Sequence, residues 1–275
     1  MRLNLSRFAF LLLVAVAAAP LFAGSIGADI TLPVAGYLEL PDDLVYRTEL
    51  TVTNHRDVLQ YVRIELISDG HAGIFRVFPL EPRQTTFLAD GGMGTGNRAT
   101  RVGAFRVSAA TGTGAGRDFE TTFDPLGQLE VSAFVVAERG RFASRGSTRQ
   151  EVAGIPSSEY FLEEMTFVGV RHDLPSYTNV GITNLHPTQT ETFFVQYQHL
   201  DPVAVVVPPL SARQIRIPGE GNSGRWVKVY PEWSIGDGAP VRTTPWVAYA
   251  STVDGYTGDA YSGTRVPAGT RIRNQ

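Results

Sequence analysis

Three stretches carry residue types whose spacing invites a chemical reading. Gly219-Glu-Gly-Asn-Ser-Gly224 matches the G-x-G-x-x-G pattern of a dinucleotide loop, which needs a strand before it, a helix after it and an acid about 20 residues on. The next residues, Trp226-Val-Lys-Val-Tyr230, alternate as a strand does, so a hairpin loop is the better reading. Asp254-Gly-Tyr-Thr-Gly-Asp259 sets two carboxylates in a Gly-rich turn. It departs from the calcium-loop template and lacks a later bidentate acid, and Asx-type turn bonding accounts for the same residues. His55, His71, His172, His186 and His199 form no HExxH or similar local pair. His172-Asp173 and Asp69-Gly-His71 set an imidazole beside an acid, yet the chain has no G-x-S-x-G elbow. Cysteine is absent, which removes thiol catalysis, disulfides and Cys-type zinc sites. No catalytic residue, metal site or cofactor is expected, and the protein is not expected to be an enzyme.

What remains is an uneven distribution of aromatics. Trp226, Trp233 and Trp246 all fall near the C-terminal end, with Tyr230, Tyr256 and Tyr261 close by. Strand alternation puts Trp226, Lys228 and Tyr230 on one face and Val227 and Val229 on the other. On the next strand Trp246, Ala248 and Ala250 alternate with Val247, Tyr249, Ser251 and Val253. If the outer faces belong to one sheet, Trp226, Tyr230, Trp246 and Tyr256 form a platform for sugar rings or a partner's apolar surface. The competing reading puts the tryptophans in the core, where aromatics bury the most area. Arg139, Arg141, Arg145 and Arg149 are expected on a solvated hairpin face rather than in an anion-binding patch.

The elements that would position these residues come from a repeat. Tyr46-Arg-Thr-Glu-Leu-Thr-Val-Thr-Asn54 returns as Tyr177-Thr-Asn-Val-Gly-Ile-Thr-Asn184, each an alternating strand ending in Thr-Asn. Leu59–Ile67 and Glu191–Tyr197 follow after short turns, and Val77-Phe-Pro-Leu-Glu-Pro-Arg-Gln84 is echoed by Val207-Pro-Pro-Leu-Ser-Ala-Arg-Gln214. The reading is all-β: two tandem immunoglobulin-like β-sandwich domains, at 29–155 and 166–268, after an N-terminal signal peptide. A tail covers 269–275. Ile30–Ala35 is expected as an edge strand that tolerates Pro33, and Tyr46–Asn54 with Leu59–Ile67 as a hairpin. Ser157–Met165, within a linker at 156–165, is expected to form one or two helical turns capped by Ser157 or Ser158. Residues 111–127 read as an insertion without a counterpart in the second copy.

Arg2 and Arg7 precede the 12-residue apolar run Phe8–Ala19 and small residues, which reads as a secretory signal peptide cut near Ala23, residues 1–23. The expected location is secreted or periplasmic. No later run reaches the 18 or so apolar residues of a membrane helix, so an integral membrane protein is not expected. Without the leader, 22 basic residues stand against 27 acidic ones, which does not suit nucleic acid.

Leu32-Pro-Val-Ala-Gly36, Tyr177-Thr-Asn-Val-Gly-Ile-Thr-Asn184 and Val247–Asp259 resemble the repeats of uncharacterised secreted bacterial proteins built from tandem immunoglobulin-like sandwiches. That resemblance implies the fold and an exported location and brings no catalytic residue with it. Where the group often has Pro or Gly after the strand-ending Asn, this chain has His55 and Leu185. The expected function is a non-enzymatic exported structural or binding protein, with a protein or glycan partner at the cell envelope. The alternatives are a two-domain periplasmic assembly chaperone, suggested by Val207–Ile217, and a carbohydrate-binding accessory module.

Overall fold

The computed structural model describes residues 25–40, 44–68, 71–89, 101–113, 120–139, 147–171, 176–198, 200–217, 226–234, 244–254 and 260–266. Within them the chain is all-β and its strands pair antiparallel, with helical structure confined to short 3-10 turns. The expected leader and the Gly219–Gly224 loop lie outside the described residues.

The first half comprises β1 (Ser25–Gly27), β2 (Asp29–Leu40), β3 (Leu44–Asn54), β4 (Gln60–Ser68), β5 (His71–Leu80) and β6 (Thr85–Leu88). It continues with β7 (Arg101–Thr113), β8 (Glu120–Phe123), β9 (Leu129–Arg139), β10 (Ser147–Val152) and β11 (Ile155–Pro156), all in one 11-stranded network. The second half comprises β12 (Met165–Val168), β13 (Tyr177–Asn184), β14 (Glu191–Tyr197), β15 (Val203–Val207), β16 (Ser211–Arg216), β17 (Trp226–Pro231), β18 (Trp246–Val253), β19 (Ala260–Ser262) and β20 (Thr264–Val266). These form a five-stranded sheet, β15-β14-β17-β12-β20, and a four-stranded sheet, β16-β13-β18-β19.

The pairing of the second half recurs in the first. There β5-β4-β7-β2-β11 follows the order of the five-stranded sheet, and β6-β3-β9-β10 that of the four-stranded one. The first half's layers join because β2 belongs to both. Its first residues pair with β7 and β11, and Tyr37 to Leu40 pair with β3 after a break in register between Leu32 and Ala35. Pro33 sits in that break, where a missing N–H costs no ladder bond. The edge-strand expectation is therefore corrected: β2 has neighbours on both sides. The expected hairpin of β3 with β4 does not form either, since β3 pairs with β2, β6 and β9, and β4 with β5 and β7. The link between them crosses layers so that Leu50 and Val52 face Val62 and Ile64 across one buried cluster.

The repeated Thr-Asn ends have a single physical cause. Asn54 and Asn184 are fully buried, and each amide does two jobs. The Asn54 oxygen accepts the Arg56 N–H at 2.9 Å while its nitrogen donates to the carbonyls of Val58 and Leu80 at 2.9 and 3.1 Å. The Asn184 oxygen accepts the His186 N–H at 2.9 Å while its nitrogen donates to Gln189 and Val207 at 2.7 and 3.0 Å. Each Asn thus closes an Asx turn and ties it to the end of a strand in the opposite layer.

Of the one or two helical turns expected at the junction, one short turn forms. Only Ser157–Glu159 makes a 3-10 turn, its N-cap is Pro156, and no side chain caps it. The carbonyls that would continue a helix are used elsewhere: Tyr160 O accepts the Trp246 backbone N–H at 2.8 Å and Leu162 O the Trp246 indole N–H at 2.9 Å. The Tyr160 hydroxyl points the other way, into the first half, 2.6 Å from Thr31 Oγ1 and donating to Asp29 at 3.3 Å. Asp29 also accepts several hydrogen bonds from Arg106, the shortest 2.6 Å. Burial, then the Asp29 carboxylate, hold the Tyr160 hydroxyl well above the ordinary tyrosine range.

Candidate functional site

On β17, Val227 and Val229 are fully buried while Trp226, Lys228 and Tyr230 face outward, half-buried, as alternation requires. Register sets Tyr230 opposite Phe194 of β14 and Trp226 opposite Val168 of β12. The Phe194 and Tyr230 rings stack at 5.6 Å between centroids with 22° between planes. Lys228 is held to Glu164 at 2.7 Å. At the sheet edge Val206 of β15 is 58% exposed. The result is an outward aromatic stripe that continues into aliphatic side chains on both sides.

Trp246 is no part of that stripe. It lies on β18, in the other sheet, fully buried against Phe193 at 5.2 Å between centroids. The four-residue platform thus reduces to Trp226 and Tyr230, with Lys228 between them on the strand and Phe194 stacked on Tyr230. Tyr256 lies outside the described residues. Trp233 packs against the same core as Trp246. Phe194 was missed because the sequence does not give the cross-strand register that seats it against Tyr230.

A second concave region lies between the halves. The outer face of the four-stranded sheet turns toward the open end of the first half and leaves a cleft of about 250 Å3. Tyr46, Thr48 and Gln150 line it from the first half, and Asn179, Tyr249 and Ser251 from the second. Ser251 Oγ donates to Gln150 Oε1 at 3.2 Å, and the Tyr249 hydroxyl to Gln214 Oε1 at 2.9 Å. Gly181 makes room for the Tyr249 ring: a Cβ there would stand 1.9 Å from a ring carbon. Gly36, at a φ of 132°, donates its N–H to Thr48 Oγ1 at 3.0 Å. Burial raises the pKa of the Tyr249 hydroxyl.

The remaining candidates are structural where they are described. His186 Nδ1 accepts the N–H groups of Thr188 and Gln189, closing the turn after Asn184. His55 contacts Glu130 at 2.5 Å, and Arg149 pairs with Glu49 and lies over Phe134. Among the described residues no three His, Asp or Glu side chains gather as a metal site, and no helix is long and apolar enough to cross a membrane. The side chains of His71 and Arg139, and all of His172, His199, Arg141, Arg145 and the 255–259 turn, lie outside the described residues. Comparison of the chain with family models, with curated proteins and with solved structures finds no match.

Proposed function

We propose that the protein is an exported, non-enzymatic binding protein made of two tandem immunoglobulin-like β-sandwiches, and that it holds a glycan chain against the outer face of its second five-stranded sheet. The observation that carries this reading is the aromatic stripe of Trp226, Tyr230 and Phe194. The equivalent positions of the first half, taken through the shared strand pairing, are Ala104, Ser108 and Arg63. Flat, partly exposed rings suit the apolar faces of sugar rings, and the Lys228–Glu164 pair beside them supplies polar groups for hydroxyls. The chaperone alternative loses support, because β15 and β16, within Val203–Arg216, lie in different sheets and are not a strand pair.

The test is retention of the full chain on a panel of insoluble polysaccharides and peptidoglycan. Wild type is expected to be retained, and Trp226→Ala and Tyr230→Ala each to weaken retention by up to about tenfold. Phe87→Ala, removing a 58% exposed ring from the first half, should change nothing. Equal retention of all four proteins would overturn the reading.

A further inference from the structure

The cleft between the halves has a composition unlike the rest of the surface. In a chain with 19% charged residues, no described residue lining it is charged. Its polar groups are tyrosine, serine and threonine hydroxyls and the amides of Gln150, Asn179 and Gln214. Each of these both donates and accepts hydrogen bonds. Between them stand Val34, Val102, Val135 and Val253. We propose that this cleft binds one uncharged sugar ring.

The match is chemical. A sugar hydroxyl also donates and accepts, so it pairs with any of these groups in either sense, while the ring's C–H surfaces meet valine and tyrosine. An anionic or cationic ligand would lose its hydration with no opposite charge in the described lining, at a cost of several kcal/mol. Size agrees: a cleft of about 250 Å3 has room for one sugar ring. The walls are fixed before any ligand arrives, because Tyr160 ties the junction into the first half and the Trp246 bonds tie it into the second. Both halves contribute side chains, as interdomain ligand sites commonly require. This inference stands on the cleft alone and does not need the aromatic stripe.

The test is calorimetric titration of the full chain with neutral hexoses, pentoses and N-acetylhexosamines, with glucuronate and adenosine as comparators. At least one neutral sugar should bind saturably, and glucuronate and adenosine at least about tenfold more weakly. Val102→Trp fills the mouth of the cleft from a 42% exposed position and should abolish binding. Tyr249→Phe removes one hydroxyl and should weaken it by about tenfold. Phe87→Ala, which touches neither the cleft nor the aromatic stripe, should leave it unchanged. If Val102→Trp does not fold, Tyr249→Phe with Gln214→Ala carries the test, and unchanged affinity in that pair rejects the site. Absence of binding by every neutral sugar, glucuronate binding equally well, or binding lost in Trp226→Ala but kept in Val102→Trp would each overturn the proposal.

Discussion

The outer faces of β3 and β9 in the first half and of β13 and β18 in the second occupy equivalent positions and carry opposite chemistry. In the first half Arg47 bridges Glu49 at 3.0 Å and Glu138 at 2.7 Å, while Arg149 pairs with Glu49 and covers the Phe134 ring at 4.7 Å. The shared pairing aligns Arg47 with Tyr177, Glu49 with Asn179 and Phe134 with Ser251. In the second half this face has no charge at those positions and packs toward the first half, where Ser251 reaches Gln150. Ile67 of β4 even belongs to the second half's core cluster. One backbone pattern thus serves as a face of paired charges in the first half and as an internal interface in the second. Glu49 is buried only because Arg47 and Arg149 pair with it, whereas β13 and β18 supply no such cations to the half-buried Asn179.

The largest effect should come from separating core from junction. Trp246→Ala empties a core site and releases the indole bond to Leu162, so a loss of about 4 kcal/mol is expected in urea unfolding. Leu129→Ala, at the equivalent position of β9, empties a core site only and should cost about 3 kcal/mol. Asn54→Ala and Asn184→Ala come next, at about 2 kcal/mol each, since each strands buried carbonyls. Near-equal values would confirm that the two turns are one device used twice, and a difference above about 1 kcal/mol would separate them.

Tyr160 ties the first half's buried polar cluster to the junction and should appear as a pH dependence. Its folded pKa is raised, so the native state holds that proton more tightly than the unfolded chain does. The stability it contributes is whole below the ordinary tyrosine value of about 10 and is lost as pH rises above it. Tyr160→Phe should therefore flatten the alkaline limb of stability against pH, read by thermal unfolding between about pH 8 and 11. The smallest effect belongs to the face of paired charges: Arg149→Ala should cost less than about 1 kcal/mol and vary with salt.

The repeat was legible because a strand-ending Asn with two fixed duties leaves a mark in the letters. The alternation of Trp226 to Tyr230 was legible for the same kind of reason, since a half-exposed sheet face writes its period directly. The match of Val77–Gln84 with Val207–Gln214 was misaligned by three residues. The pairing sets Leu80 against Val207 and Arg83 against Leu210, each of the latter two after a proline and at positive φ, 60° and 44°. Shared turn geometry overrode shared letters there. Trp246 was ambiguous because β18 is buried on both faces, so its alternation carries no inside or outside. Pro33 suggested an edge because the local sequence does not reveal a bulge.

The central claim, that this face of the second half is covered by the first half while the first half's own face carries paired charges, meets its most direct test in a chain free of cysteine. Ser132 of β9 and Ser251 of β18 both point away from their own cores, and only Ser251 is buried, against the first half. The thiols introduced by Ser132→Cys and Ser251→Cys can be timed against a thiol reagent in the folded protein. The account predicts prompt reaction for Ser132→Cys and reaction slowed by at least about tenfold for Ser251→Cys until the protein is unfolded. Equal rates in the two folded variants would contradict it.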